Sequence, residues 1–187
     1  SLRFKPGTKY RYSNTGYSLV AAIVEKSSKM SYEQFLRKYL FKPAGMKETG
    51  YSIPKWKAKN LTVGYRNGVR WGKPNEKPWG KNAPSWHLVG NGGILSTVGD
   101  MYKWHKALTG DKILDTSAKA KLYKRHIEEG EGAGSYYGYG WAIFPTKRKT
   151  WLTAHNGGNG VFFADFWRFR EEKVTIIMLT NETKREF

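Results

Sequence analysis

Two periods of hydrophobic and polar residues run through this chain, a helical one early and an alternating one late. After a turn at Phe4-Lys5-Pro6-Gly7-Thr8 and a short extended piece over Tyr10 to Ser13, Leu19, Ala22, Ile23 and Lys26 recur at helical spacing. They predict a helix with an apolar stripe turned inward, capped at its start by Asn14-Thr15. Ser31 followed by Gln34 is a capping-box pattern, and Phe35, Leu36, Tyr39 and Leu40 give that second helix its apolar side. Gly92-Gly93-Ile94-Leu95-Ser96-Thr97 reads as a tight turn into a third helix, Val98 to Leu108, and Asp115-Thr116 caps a polar fourth that runs to about Arg125. The Gly-rich, acidic stretch from Glu128 to Tyr137 reads as a loop. Then the period changes. Tyr139 to Phe144, Thr150 to His155, Val161 to Arg170 and Val174 to Thr180 are strand-like, and connectors as short as Arg170-Glu171-Glu172-Lys173 predict an antiparallel meander. Helices followed by consecutive strands argue an α+β fold, one antiparallel sheet flanked by helices.

Residues 51–86 fit neither period. Lys55, Lys57, Lys59, Arg66, Arg70, Lys73, Lys77 and Lys81 alternate there with Trp56, Trp71, Trp79 and Trp86, and Asn67-Gly68 is a hairpin signal. Within a single domain spanning 1–187, this is a long basic excursion of the kind that walls a binding cleft. The net charge of +18 attracts polyanions, although dispersed lysines mostly make a solvated surface. Tryptophans among cations also suit single-stranded nucleic acid, but the irregular spacing and the lack of a nucleic-acid motif argue against it. Without cysteine there can be no disulfide, thiol nucleophile or zinc–thiolate site. His87, His105, His126 and His155 lie too far apart to suggest metal ligands, so no cofactor is expected. No apolar run approaches the roughly 20 residues of a membrane helix.

Five short patterns, in order, carry more information than any of these. They are Tyr12-Ser13-Asn14; Pro43-Ala44-Gly45-Met46-Lys47-Glu48-Thr49-Gly50; Gly92-Gly93-Ile94-Leu95-Ser96-Thr97 running on to Asp100-Met101; Tyr137-Gly138-Tyr139-Gly140-Trp141; and His155-Asn156-Gly157-Gly158 leading to Gly160. The first resembles the Tyr-x-Asn motif of class C β-lactamases and of the DD-peptidases, D-aminopeptidases and esterases related to them. The last resembles the His-x-Gly motif that replaces Lys-Thr-Gly in many of those relatives. The resemblance covers nearly the whole chain and implies a partial β-lactamase/transpeptidase-like fold in a serine hydrolase acting on an amide, ester or β-lactam bond. It also implies a periplasmic or extracellular location.

By that resemblance Tyr12 is the general base, a phenol whose proton is loosened by a neighbouring lysine. Asn14 hydrogen-bonds the substrate amide or orients that lysine. His155 binds a substrate carboxylate or polarises the base, Gly158 offers its N–H to the oxyanion, and Asn156 and Gly157 border the substrate along the strand edge. The family's nucleophile, the serine of Ser-x-x-Lys, lies on a helix well upstream of Tyr-x-Asn, and only eleven residues precede Tyr12 here. Ser52-Ile53-Pro54-Lys55 matches by letters alone, since Pro54 would fall in the first turns of the helix. By the same resemblance the family's closing C-terminal helix is not expected within these residues. The expectation is therefore a fragment of a hydrolase, inactive alone, that exposes an apolar surface where the missing helix packs and so self-associates or takes up a partner segment. The alternatives are a non-catalytic module for a cell-wall or polyanionic ligand, and a basic nucleic-acid-binding domain.

A salt titration of DNA binding separates the last of these from the rest. Phosphate contacts make log K fall linearly with log salt. The expected result is weak binding that disappears by physiological salt; sequence-selective binding that survives there would favour the nucleic-acid reading.

Overall fold

The computed structural model describes residues 3–52, 54–77 and 86–183. The chain divides into two compact units. The first comprises residues 1–12, 114–156 and 165–177; the second comprises 13–113, 157–164 and 178–187.

Helices dominate the second unit. Helix α1 (Asn14–Ser28) starts where the Ser13 hydroxyl accepts the Gly16 N–H, and it ends at Lys29 in the left-handed conformation. Ser13, not Asn14, is thus the cap. The expected inward stripe is also reversed: Leu19 and Ile23 are more than 60% exposed, and it is Ala21 that is buried. The cause is the close approach of Gly90, where a Cβ would stand 2.7 Å from both the Ala21 Cβ and the Tyr17 carbonyl. Only a small side chain fits that side of the helix, so the bulky apolar residues are left on the other.

Helix α2 (Tyr32–Leu36) carries the full Ser31–Gln34 capping box and continues as a π-helical turn, Arg37–Phe41. Leu36 and Phe41 form a buried cluster with Met46 and Tyr51, against which Tyr32, Leu40, Ala44 and Trp104 pack, while Tyr39 is exposed. The Glu33 carboxylate holds the next segment, accepting the N–H groups of Tyr51 and Ser52 and the Ser52 hydroxyl. Helix α3 (Val98–Thr109) starts at the Thr97 cap and carries Asp100 in its first turn. Asp100 is 1% exposed. Its carboxylate accepts from Glu48 N, Thr49 Oγ1 and Lys103 Nζ, at 2.7, 2.9 and 2.7 Å. Beside it the backbones of Gly50 and Leu95 bond reciprocally.

In the 51–86 excursion, β1 (Gly64–Arg66) and β2 (Val69–Gly72) pair antiparallel. They turn at Asn67 and Gly68, with φ of 52° and 77°, as the Asn-Gly signal predicts. The hairpin gains a partner from the far end of the chain: β9 (Glu182–Thr183) runs parallel to β1. Nothing local in the sequence announces that long-range pairing. Ile53, Trp79 and Lys81 lie outside the described residues.

In the first unit α4 (Thr116–Leu122) is capped by Asp115 and ends earlier than expected. The Gly-rich acidic loop contributes two short strands, β3 (Ile127–Glu128) and β4 (Tyr136–Tyr137). The sheet continues through β5 (Ala142–Pro145), β6 (Trp151–Gly158), β7 (Phe163–Phe169) and β8 (Val174–Thr180), in the order β3-β4-β5-β6-β7-β8. From β3 to β6 the pairing is antiparallel, with Tyr137 opposite Ala142 and Ala142 opposite Ala154. The sheet begins earlier and is cut more finely than the expected meander: the strand expected over Tyr139 to Phe144 is β5 alone, preceded by the Gly138–Trp141 turn. Trp141, Ile143 and Phe166 are buried with Arg168, whose guanidinium donates to the Tyr123 hydroxyl.

Burial pushes the Asp100 carboxyl up, but its hydrogen bonds from Lys103, Glu48 and Thr49 outweigh this and hold it below the usual 3.8. Its stabilising contribution is therefore complete at neutral pH and is lost as pH falls through the depressed pKa. Asp100→Ala, which strands three donors, is expected to cost on the order of 2–4 kcal/mol in urea unfolding at neutral pH. The difference from wild type should shrink in acid.

Candidate active site

Tyr12 stands at the end of the extended lead-in to α1, one residue before the Ser13 cap. Half of its side chain is exposed. Its ring lies 6.2 Å from that of His155, and the same distance, edge-on, from that of Tyr137. Tyr12 and His155, one residue from each of the first and last sequence patterns, thus meet within the first unit although they lie far apart in the chain.

His155 sits near the end of β6, half-buried. Its Nε2 is 2.9 Å from the Tyr137 hydroxyl, and Tyr10 packs on Tyr137 from 5.4 Å. Sequence reasoning assigned no role to Tyr137 or Tyr10. Tyr137 opens the Tyr-Gly-Tyr-Gly-Trp pattern, so a signal was present but carried no chemistry. Burial lowers the His155 pKa below 6.5, partly offset by a hydrogen bond with the Asn156 backbone and by the charges of Glu129 and Asp165. The ring is therefore neutral at pH 7. It supplies an aromatic face and a hydrogen-bonding edge, not a cation, beside Tyr12.

Asn14 is the first residue of α1, in the second unit. Its side chain is exposed and makes no hydrogen bond among the described residues. Because Ser13 does the capping, the commonest structural reason for an asparagine at a helix start does not apply here. Asn156 is exposed on β6, and Gly157 and Gly158 end that strand within the second unit. Gly157 has open space where a Cβ would stand, whereas at Gly158 a Cβ would press on the Phe162 carbonyl and the Phe163 ring, each at 3.1 Å. The turn beyond is tied by Asn159, whose side chain accepts from Val161 N and Phe162 N. A glycine edge of this kind lets another backbone approach the strand.

Ser52 is spoken for, its hydroxyl donating to Glu33 at 2.6 Å. In the excursion, Trp71 stands edge-on to Phe162 and carries the Lys77 ammonium 4.1 Å above its ring. Trp56 donates to the Tyr51 carbonyl. Arg70 is paired with Glu76, and Lys73 donates to the Ala58 carbonyl. These rings and cations bind one another and the backbone, an arrangement unlike a row of stacking platforms. Among the described residues no His, Asp or Glu cluster could hold a metal ion, and no helix is long and apolar enough to cross a membrane.

Comparison with known proteins shows the family and the fold. The β-lactamase family matches residues 1–187. Penicillin-binding protein 4* of Bacillus subtilis (strain 168) is 28% identical over 186 residues, covering 96% of this chain and 41% of that protein. A D-aminopeptidase of Brucella ovis is 26% identical over 181 residues, covering 95% of this chain and 33% of that protein. Among solved structures, the octameric penicillin-binding protein homologue from Pyrococcus abyssi superposes with a TM-score of 0.78 at 27% identity, over 95% of this chain and 40% of that one. The chain thus spans less than half the length of these relatives. A family match from end to end, on a shared fold with antiparallel sheets and helices, makes this chain a member of the β-lactamase family of serine hydrolases.

Proposed function

We propose that residues 1–187 form the Tyr-x-Asn and His-x-Gly part of an acyl-transfer site in a serine hydrolase that cleaves an amide, ester or β-lactam bond. The observation that carries this reading is the meeting of Tyr12 and His155 in one unit. The uncapped, solvent-facing Asn14 two residues after Tyr12 supports it. The D-aminopeptidase relationship supports an amide among the three substrate classes.

The serine nucleophile and its lysine come, on this reading, from a segment outside these residues. The outward face of α1, where Leu19, Val20 and Ile23 are each more than half exposed, supports a helix seated there. The serine Oγ attacks the carbonyl carbon while Tyr12, its proton drawn off by the lysine, accepts the serine proton. The carbonyl oxygen takes the electron pair and is stabilised by the Gly158 N–H and by the N–H of the nucleophile itself. Collapse expels the amine or alcohol, which leaves with the proton from Tyr12. Water then releases the acid and regenerates the serine by the same steps. Asn14 holds the substrate's amide or the lysine. Asn156 and Gly157 border the scissile group, and the neutral His155 orders Tyr12 from the side.

Fluorophosphonate or fluorescent-penicillin labelling tests this. The purified chain is expected to take up no label, because residues acting as a unit lose nearly all activity when the nucleophile is missing. Adding a segment that bears a Ser-x-x-Lys helix should restore labelling on its serine and turnover of nitrocefin, a p-nitrophenyl ester or a D-amino acid anilide. Tyr12→Phe should then lower that turnover about 100-fold or more. Stoichiometric labelling of a serine within 1–187 would overturn the assignment.

A further inference from the structure

We infer that Tyr137 is the positioning residue of His155: its hydroxyl donates to Nε2 and holds the imidazole in one tautomer and one orientation beside Tyr12. The value of that orientation rests on the hydrolase reading; the contact itself does not.

Tyr137 is built to stay where it is. It is 9% exposed. Its carbonyl accepts the His126 N–H, it pairs with Ile127 on one side and Ala142 on the other, and the next residue donates to the Trp141 carbonyl. Tyr10 covers its ring from 5.4 Å and Tyr12 meets it edge-on. The hydroxyl therefore reaches Nε2 from a fixed base, at 2.9 Å.

The direction of the hydrogen bond depends on which ring nitrogen carries the proton. The bond to the Asn156 backbone favours the protonated ring, which is the behaviour of a bond that the imidazole donates. A neutral imidazole has a single N–H. With that N–H on Nδ1, the tautomer we infer, Nε2 is a lone pair and the Tyr137 O–H is the donor across the 2.9 Å gap. The groups acting on His155 then divide. Glu129 and Asp165 favour the imidazolium, Tyr137 favours the neutral ring by donating to it, and Tyr12 contributes its face. Nε2, already engaged, does not compete for the Tyr12 hydroxyl, which stays available on the exposed side.

Proton–nitrogen correlation spectra of the four histidines, with His155→Gln to assign the resonance, read the tautomer directly on this chain. In wild type His155 should carry its proton on Nδ1, with Nε2 unprotonated, and titrate below 6.5. In Tyr137→Phe the tautomer preference should be lost and the midpoint should rise, because the donor that favours the neutral ring is gone while the burial of the ring remains. Tyr139→Phe, in the same pattern but exposed, should change neither. A wild-type ring protonated on Nε2, or a Tyr137→Phe protein with unchanged tautomer and midpoint, overturns the inference. If Tyr137→Phe does not fold, the wild-type tautomer still decides it. Failure of serine labelling in the completed enzyme would sink the hydrolase reading and leave this result standing.

Discussion

The antiparallel register of β4, β5 and β6 is the constraint on which the candidate site depends. Tyr137 faces Ala142 and Ala142 faces Ala154, so His155 is carried one residue beyond the pairing that fixes Tyr137. A slip of one residue along either ladder would turn alternate side chains to the opposite face. The turn that sets this register allows little variation. Gly138 lies where a Cβ would come within 2.9 Å of the Leu122 carbonyl and 3.1 Å of the Lys124 carbonyl, and Gly140 adopts φ of 75°. The two glycines of Tyr-Gly-Tyr-Gly-Trp are therefore steric requirements of the strand turn against the end of α4. The first tyrosine is the part of the pattern that reaches His155.

The other ordered patterns divide in the same way. Pro43 to Gly50 and Gly92 to Met101 contribute no side chain to the candidate site. In this chain one buried carboxylate, Asp100, ties Glu48 and Thr49 to the first turn of α3, and the Gly50 and Leu95 backbones close the join. Five patterns in order identified the family, yet two of them record how the second unit is fastened together.

Much of the architecture was legible because it is written locally. The Ser31–Gln34 capping box, the Asp115 cap, the Asn67-Gly68 turn and the apolar run of β8 all appear where the residues predict them. Three features were not legible, each because a partner distant in sequence decides it. Which side of α1 is buried depends on Gly90. The hairpin of the basic excursion is extended by Glu182 and Thr183. The hydrogen bond to His155 comes from a tyrosine in a stretch whose glycines and acidic residues read as a loop. Of the candidate residues, Tyr12 and His155 could be paired from the resemblance alone, whereas the neutrality of His155 follows only from its burial.

The Ser13 cap has a consequence for how the Tyr-Ser-Asn triplet can vary in this chain. Its outer letters are the residues proposed for the chemistry, and its middle letter answers to helix initiation, since the Ser13 hydroxyl is what receives the Gly16 N–H. Threonine, aspartate and asparagine could take over that duty, and an aliphatic residue, which has no side-chain acceptor, could not. A substitution at the middle position would fray the first turn of α1 and move both neighbours at once, so a fault in folding would present itself in an assay as a fault in catalysis.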